Sequence, residues 1–289
     1  MTSLGIIGLG AMGAPMARHL LAHHGSLSIT ARRPQPDLVT AGASWADSPR
    51  ELAASVDALL LMLPDLPQLE ELLSGDDGIL AGVRDSGLLL MIGSTSSATG
   101  VRALAGRLAA ETDGRVRVVD CPVSGGEDGA AAGTLSIMLG GANDDAALAQ
   151  SLLAPCGTPV HLGPLGAGQV AKACNQMVVS ATILALGEAT VLADRSGIDL
   201  EKMWGLLSGG YAGSRLLDSR REKLVTGDDS PSGVAKYMVK DLASAAEIAE
   251  ATRTNPALLP TLRAAFDEIV SSGLGDQDIA VTRRFVAER

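Results

Sequence analysis

Aromatic residues are nearly missing from this sequence, with two each of Trp, Tyr and Phe among 289 residues. Proteins that hold single-stranded nucleic acid stack its bases on such rings, and the formal net charge of -10 offers no phosphate-tracking surface. Nucleic acid is therefore not an expected partner. Cysteine is scarce too. Cys121, Cys156 and Cys174 are an odd set without metal-ligand spacing, so neither a disulfide framework nor a metal site is expected, and small buried thiols in a reducing cytosol fit them best. The longest apolar stretch, near Met177 to Gly187, is interrupted by Ser180 and Thr182 and closed by Glu188. It is short of a bilayer crossing and reads as a buried helix, so no membrane partner is expected. The N-terminus enters a strand pattern at once, with no basic flank or cleavage site, and a cytoplasmic location follows as the expectation.

What remains is aliphatic. Hydrophobic residues make up 46% of the chain, so the core is Leu, Val, Ile, Ala and Met, and the length predicts two domains. Strand-like runs at Leu4 to Ile7, Leu27 to Thr30, Asp57 to Leu63, Leu88 to Ile92, Val116 to Val119 and Leu135 to Leu139 alternate with helical patterns, which predicts a parallel sheet. Runs such as Leu59 to Leu63, apolar on consecutive residues, imply strands covered on both faces. After His161 and Leu162 the spacing turns helical, over roughly 167–195, 199–208, 234–251 and 257–272. The predicted fold is thus α/β: a Rossmann-type doubly wound sheet over residues 1–163, then an all-helical domain over 164–289, with the change at Gly163, Gly166 and Gly168 and a substrate cleft between the two. Val178, Ile183, Leu184 and Leu186 give the long helix more apolar surface than one face hides, so a homodimer or homotetramer is expected.

The segment Gly8, Leu9, Gly10, Ala11, Met12, Gly13 follows a strand and opens a helix, the context a dinucleotide loop needs. Its glycines let the backbone turn tightly and approach a pyrophosphate, whose charge meets the N-terminus of the following helix. A merely tight turn has the same pattern. At the end of the second strand, where a site selective for NAD carries a carboxylate, the sequence reads Thr30, Ala31, Arg32, Arg33. Two guanidiniums and no carboxylate suit the 2′-phosphate of NADP, with NAD still possible, although solvated surface arginines read alike. The loops holding Leu63, Pro64 and Asp65, and Ser94, Thr95 and Ser96, follow later strands and are expected to line the cofactor. Pro64 can equally be a strand terminator, and one hydroxyl a helix cap.

Asp120 to Gly126 reads D-C-P-V-S-G-G, and Ser124, Gly125 and Gly126 can present a hydroxyl and N–H groups to a carboxylate, or form an ordinary turn. Lys172 and Asn175 lie one turn apart on the long helix and share a face. An ammonium there can donate a proton to a carbonyl oxygen as hydride arrives and accept it back if its pKa is lowered, while the amide orients that oxygen. A lone lysine on a helix is also an ordinary solvated residue.

Together these motifs resemble the β-hydroxyacid dehydrogenase family over essentially the whole chain. The resemblance rests on G-L-G-A-M-G-A-P-M at 8–16, M-L-P-D at 62–65, D-C-P-V-S-G-G at 120–126, G-A-x-x-G-T-L at 129–135, G-x-G-Q-V-A-K-A-C-N at 166–175 and K-D-L at 240–242. It implies Lys172 as the catalytic lysine, Asn175 as the substrate-side amide, and Ser124, Gly125 and Gly126 as the carboxylate loop. It also implies the glycine loop, Leu63, Pro64, Thr95 and Lys240 as cofactor contacts, and Arg32 at the 2′-phosphate. Glu127 and G-G-Y-A-G-S at 209–214 look most like the tartronate semialdehyde reductase branch. Gly233, where many relatives carry an aromatic residue, and Ala31, where some carry an acidic one, depart from the family pattern.

The reaction so implied interconverts a short aldehyde acid and its 3-hydroxy acid with Lys172 as general acid and base. A 3-hydroxyisobutyrate dehydrogenase or another semialdehyde reductase is the alternative within the family. An imine reductase, whose relatives typically replace the lysine, and a non-catalytic dinucleotide-binding module are the alternatives outside that chemistry. Tyr211, Ser214, Arg215 and Lys236, from the helical half, can complete the substrate pocket, although plain surface or packing fits each of them better.

Overall fold

Runs apolar on successive residues become strands buried on both sides. The computed structural model describes residues 2–289. In it β1 (Leu4–Ile7), β2 (Ser28–Thr30), β3 (Ser44–Trp45), β4 (Ala58–Leu61), β5 (Leu88–Ile92) and β6 (Val116–Asp120) stand in the order β3-β2-β1-β4-β5-β6, all parallel. Successive side chains leave a strand on opposite sides. Leu4, Ile6, Ala58, Leu60, Leu89 and Met91 join one core. Ile7, Leu59, Leu61, Leu88, Leu90 and Ile92 join the other.

Helices α1 (Gly13–His24), α2 (Pro36–Thr40), α6 (Gly126–Ala132) and α7 (Asn143–Leu153) contribute to the first core through Met16, Leu20, Leu38, Ala130 and Leu153. Helices α3 (Pro49–Ser55), α4 (Leu66–Leu73) and α5 (Ala98–Glu111) contribute to the second through Leu52, Leu69 and Leu104. This is the doubly wound arrangement that the sequence predicts, with β1 at the point where the strand order reverses.

The sheet is not parallel throughout. β8 (Leu135–Gly140) runs antiparallel to β6 and to β7 (Val123–Ser124), and β9 (Gly157–Gly163) pairs parallel to β8. Between β6 and β8 the chain forms only β7 and the seven-residue α6, which leaves too little for the long crossover that a parallel neighbour needs.

Register matters most for function. Ile7 pairs with Leu61, Leu61 with Ile92, and Ile92 with Asp120. The loops that follow β1, β4, β5 and β6 therefore emerge side by side at one edge of the sheet.

The second unit is helical: the rest of α8 (Ala167–Arg195), then α9 (Leu200–Leu207), α10 (Arg215–Thr226), α11 (Tyr237–Ala251), α12 (Leu259–Ser271) and α13 (Thr282–Ala287). Trp204, Phe266 and Phe285, half of the chain's few aromatics, lie in its core. Gly187 of α8 is required there, because a Cβ would stand 2.6 Å from Thr282 Oγ1 and 2.8 Å from the Thr282 backbone.

The sequence pattern overlooks α10, whose Leu216, Leu217, Leu224 and Val225 are too few among charged residues to show a face. The first compact unit runs on through Gly163, Gly166 and Gly168 to Lys172. The glycines at 163–168 are not a linker, because Gly166 and Gln169 donate backbone N–H groups to Asp120 and tie the first turn of α8 to the sheet.

At 29 residues and about 44 Å, α8 is long and apolar enough to cross a bilayer. Half of its most apolar window is buried inside the protein, as in a core helix. Of the four residues read as surplus surface, Ile183, Leu184 and Leu186 belong to the second unit's own core. Only Val178 is exposed, at 61%.

Candidate active site

The turn after β1 uses its three glycines differently. Gly8 has φ +98°, and a Cβ there would stand 2.1 Å from the Met62 carbonyl oxygen; at Gly13 one would stand 1.9 Å from the Gly8 carbonyl oxygen. Packing demands both glycines. Gly10 is exposed, and a Cβ there would meet nothing within 4 Å, so its backbone is open to a close-approaching ligand. Leu9 and Met12 pack on the core and Ala11 is exposed beside Gly10. No side chain caps the N-terminus of α1, so its dipole faces the loop. The arrangement fits a dinucleotide pyrophosphate.

Arg32 and Arg33 stand exposed just past β2. Arg32 Nη2 lies 3.9 Å from Glu71 Oε2 on α4, with both side chains mostly in solvent, a pairing that a phosphate can displace at little cost. After β4, Leu63 is half-buried and Pro64 exposed. The Leu63 N–H donates to Ser94 Oγ at 2.9 Å, joining this loop to the one after β5, where Thr95 is half-buried. Helix capping falls to Asp65 and Ser97, which accept from Gln68 and Gly100, so Ser94, Thr95 and Ser96 are not spent on it.

Ser124 ends β7, paired with Ser136 of β8. Gly125 and Gly126 follow at φ +139° and +64°, exposed beside the half-buried serine. At the neighbouring edge Asp120, fully buried, accepts from the Gly166 N–H with Oδ1 at 2.6 Å and from the Gln169 N–H with Oδ2 at 2.7 Å. Burial pushes its carboxyl up to about 6, against the pull of those two N–H groups and of Arg102. The Gln169 side chain donates to the Ser94 carbonyl at 2.8 Å and accepts from the Ser96 N–H at 2.9 Å.

One turn beyond Gln169, Lys172 is only 8% exposed. Asn175, half-buried, donates to Gln176 Oε1 at 2.8 Å, and Gln176 donates to Asp241 Oδ2 of α11 at 2.6 Å. Lys240, the neighbour of Asp241, is half-buried.

Four residues of this hydrogen-bond network are not singled out by the sequence reading. Asp120, Gln169, Gln176 and Asp241 all lie inside or beside the motifs at 120–126, 166–175 and 240–242, and the spacing of Gln169 from Lys172, three residues on one helix face, was the available signal.

Two of the other candidates make contacts within the second unit. Ser214 caps α10. Lys236 pairs with Asp276 at 2.5 Å and lies over the Tyr237 ring. Tyr211 is fully exposed, and Arg215 is exposed. Burial pushes the Cys156 thiol up to about 12 and holds that of Cys121 well above the usual thiol range, so neither is a nucleophile.

A glycine loop at the switch point of a doubly wound sheet, followed by a buried lysine on the helix that leaves it, defines a nicotinamide-dependent dehydrogenase. Residues 3–166 match the NAD-binding domain of 6-phosphogluconate dehydrogenase, and residues 166–285 match the domain described as NAD-binding of NADP-dependent 3-hydroxyisobutyrate dehydrogenase. The chain belongs to the 3-hydroxyisobutyrate dehydrogenase, or β-hydroxyacid dehydrogenase, family and is an NAD(P)-dependent oxidoreductase acting on CH–OH groups.

It is 38% identical to a probable 3-hydroxyisobutyrate dehydrogenase-like protein of Arabidopsis thaliana, over 86% of this chain and 77% of that one. It is 34% identical to the 2-hydroxy-3-oxopropionate reductase of Escherichia coli, over 93% and 92%. A crystal structure of 3-hydroxyisobutyrate dehydrogenase from Salmonella typhimurium superposes with a TM-score of 0.87 at 29% identity, covering 98% of this chain and 99% of that one.

Proposed function

We propose that the chain reduces a short aldehyde acid of the tartronate semialdehyde kind to its 3-hydroxy acid, prefers NADP to NAD, and catalyses the reverse oxidation. The observation that carries this reading is Lys172, 8% exposed on a helix bonded to the sheet edge where the candidate cofactor loops end. A lysine on a merely solvated helix face is almost never buried to that degree.

The loop from Gly8 to Gly13, with Leu63, Pro64 and Thr95, holds the cofactor, Arg32 and Arg33 take its 2′-phosphate, and Lys240 is assigned to it on the resemblance of its K-D-L motif. The bound nicotinamide supplies hydride in reduction and receives it in oxidation. The Ser124 hydroxyl and the backbone at Gly125 and Gly126 bind the substrate carboxylate. Lys172 Nζ gives a proton to the carbonyl oxygen as the carbonyl carbon gains hydride, and the neutral amine takes it back from the hydroxyl in oxidation. Asn175 orients that oxygen.

Replacing Lys172 by Ala is expected to lower kcat by orders of magnitude while NADPH still quenches protein fluorescence at near-parent concentrations; retained turnover overturns the reading. A panel of aldehyde acids and 3-hydroxy acids with both cofactors, followed at the nicotinamide absorbance, separates tartronate semialdehyde from the 3-hydroxyisobutyrate alternative.

Leu192 and Leu206, 72% and 79% exposed, with Val178, support a homodimer or homotetramer, and light scattering that returns a monomer rejects it. The free thiols support a cytoplasmic location, which cell fractionation tests.

A further inference from the structure

Gln169 has no part in the chemistry above, yet it is 1% exposed and both ends of its side-chain amide bond to one backbone segment. Its Nε2 donates to the Ser94 carbonyl and its Oε1 accepts from the Ser96 N–H, at 2.8 and 2.9 Å. An amide paired with both a carbonyl and an N–H of one extended segment imitates a neighbouring strand, and two such bonds fix direction as well as distance. Ser94 in turn accepts from the Leu63 N–H. The path runs from the loop after β4, through the loop after β5, into the first turn of α8, and Lys172 follows on the same helix face.

Asp120 holds that turn from the third side through Gly166 and Gln169, and Arg102 of α5 donates to the Leu165 carbonyl just before it, at 2.8 Å. Two glycines allow the approach. A Cβ on Gly140 would stand 2.4 Å from Asp120 Oδ1, and one on Gly168 would stand 2.1 Å from the Met138 carbonyl oxygen. Asp120 already satisfies the helix N-terminus and a methionine would fill the space of Gln169, so what the amide adds is orientation.

We propose that Gln169 is a positioning residue for Lys172: by pairing with Ser94 and Ser96 it sets the rotation of α8 about its axis, and hence where the Lys172 ammonium stands relative to the loops after β4 and β5. This rests on Lys172 being the proton donor of the reaction. An extended lysine carries Nζ roughly 8 Å from the helix axis, so a rotation of about 10° moves it by about 1.4 Å. A misplacement of about 1 Å at the reacting atoms can cost on the order of a hundredfold in rate.

The test uses the full-length enzyme with NADPH and whichever of tartronate semialdehyde and methylmalonate semialdehyde the parent reduces faster. Gln169→Met is expected to lower kcat tenfold to a hundredfold with substrate KM changed less than threefold. In a Lys172→Ala background the same change is expected to lower it less than twofold further, because the two residues act as one unit.

Gln169→Glu keeps the length and the bond to Ser96, but its second oxygen meets the Ser94 carbonyl unless it carries a proton. Among the charged groups placed near it are Asp120, which accepts from its N–H, Arg102, which donates to the Leu165 carbonyl, and Lys172, one helical turn on. Its kcat relative to the parent at each pH is expected to rise as pH falls toward 5, a rescue that a packing role would not show. Full kcat in Gln169→Met, an equal loss in both backgrounds, or a flat parent-normalised pH profile for Gln169→Glu overturns the proposal while leaving Lys172 in place. Retained turnover in Lys172→Ala overturns both.

Discussion

Replacing Asp120 by Asn separates what this carboxylate costs from what it does. Burial raises its folded-state pKa to about 6 from 3.8, so the folded protein holds this proton more tightly than the unfolded chain. The sign follows from linkage: the contribution to stability is fully present below about pH 4 and is lost as pH rises through about 6, at up to about 1.4 kcal/mol per pH unit and about 3 kcal/mol in all.

Asn mimics the neutral acid in shape and has no such dependence. The difference in unfolding free energy between parent and Asp120→Asn is therefore expected to shift by about 2.4 kcal/mol toward the variant between pH 4 and pH 7. Taking the difference also cancels Asp57, Asp199 and Asp228, whose lowered pKa values come chiefly from backbone hydrogen bonds and act in the opposite direction.

Urea unfolding of both proteins, followed by Trp204 fluorescence and by circular dichroism across that range, measures it. Turnover should move the other way. The Asn amide turns an NH2 toward one of two backbone donors now 2.6 and 2.7 Å away, the start of α8 loses its double anchor, and kcat falls even where stability rises. A difference that is constant with pH, or that grows in the parent's favour, would refute the reasoning, since it would mean that the two N–H groups outweigh burial.

The glycine loop gives a contrasting pair. Gly13→Ala puts a methyl 1.9 Å from the Gly8 carbonyl oxygen and is expected to cost about 1–3 kcal/mol or more in thermal unfolding. Gly10→Ala meets nothing, so it should leave stability within about 0.5 kcal/mol of the parent and weaken NADPH binding in a fluorescence titration. Arg32→Ala should raise KM for NADPH roughly tenfold, the loss of one charge-assisted contact, with KM for NADH unchanged. Glu71→Gln should alter neither by more than about twofold, because its pair with Arg32 is long and solvated.

Much of this fold was legible because the decisive signals were local. Leu59 to Leu61 are apolar on every residue, which only a strand covered on both faces explains, and the glycine loop follows its strand directly. What was not legible depended on partners distant in the chain. The antiparallel return of β8 is decided by how few residues remain after β7. α10 carries too few apolar residues to show a period, and its first turn is capped by Ser214. Lys236 pairs with Asp276, forty residues on, a partner its own surroundings in the sequence do not show. Ile183, Leu184 and Leu186 looked like surplus surface until the second unit's helices covered them.

The same distinction runs through the site. Spacing shows only that a helix turn brings Lys172 and Asn175 to one face, and the roles proposed for them come from the resemblance of their motif. What holds that turn is another matter: before Lys172 the helix is fixed by Asp120, Ser94 and Ser96, more than forty residues earlier, and after Asn175 by Gln176 on Asp241, sixty-five residues later. A lysine is a flexible side chain whose value as an acid depends on where its nitrogen rests, so on the reading proposed above its identity alone does not set the rate. The proposal gives the bonds at either end of that stretch a share in it, and they use two acids and two amides that lie inside or beside the motifs. If the Gln169 and Asp120 substitutions slow turnover without unfolding the chain, then the glutamine inside the lysine motif is there for the same reaction as the lysine.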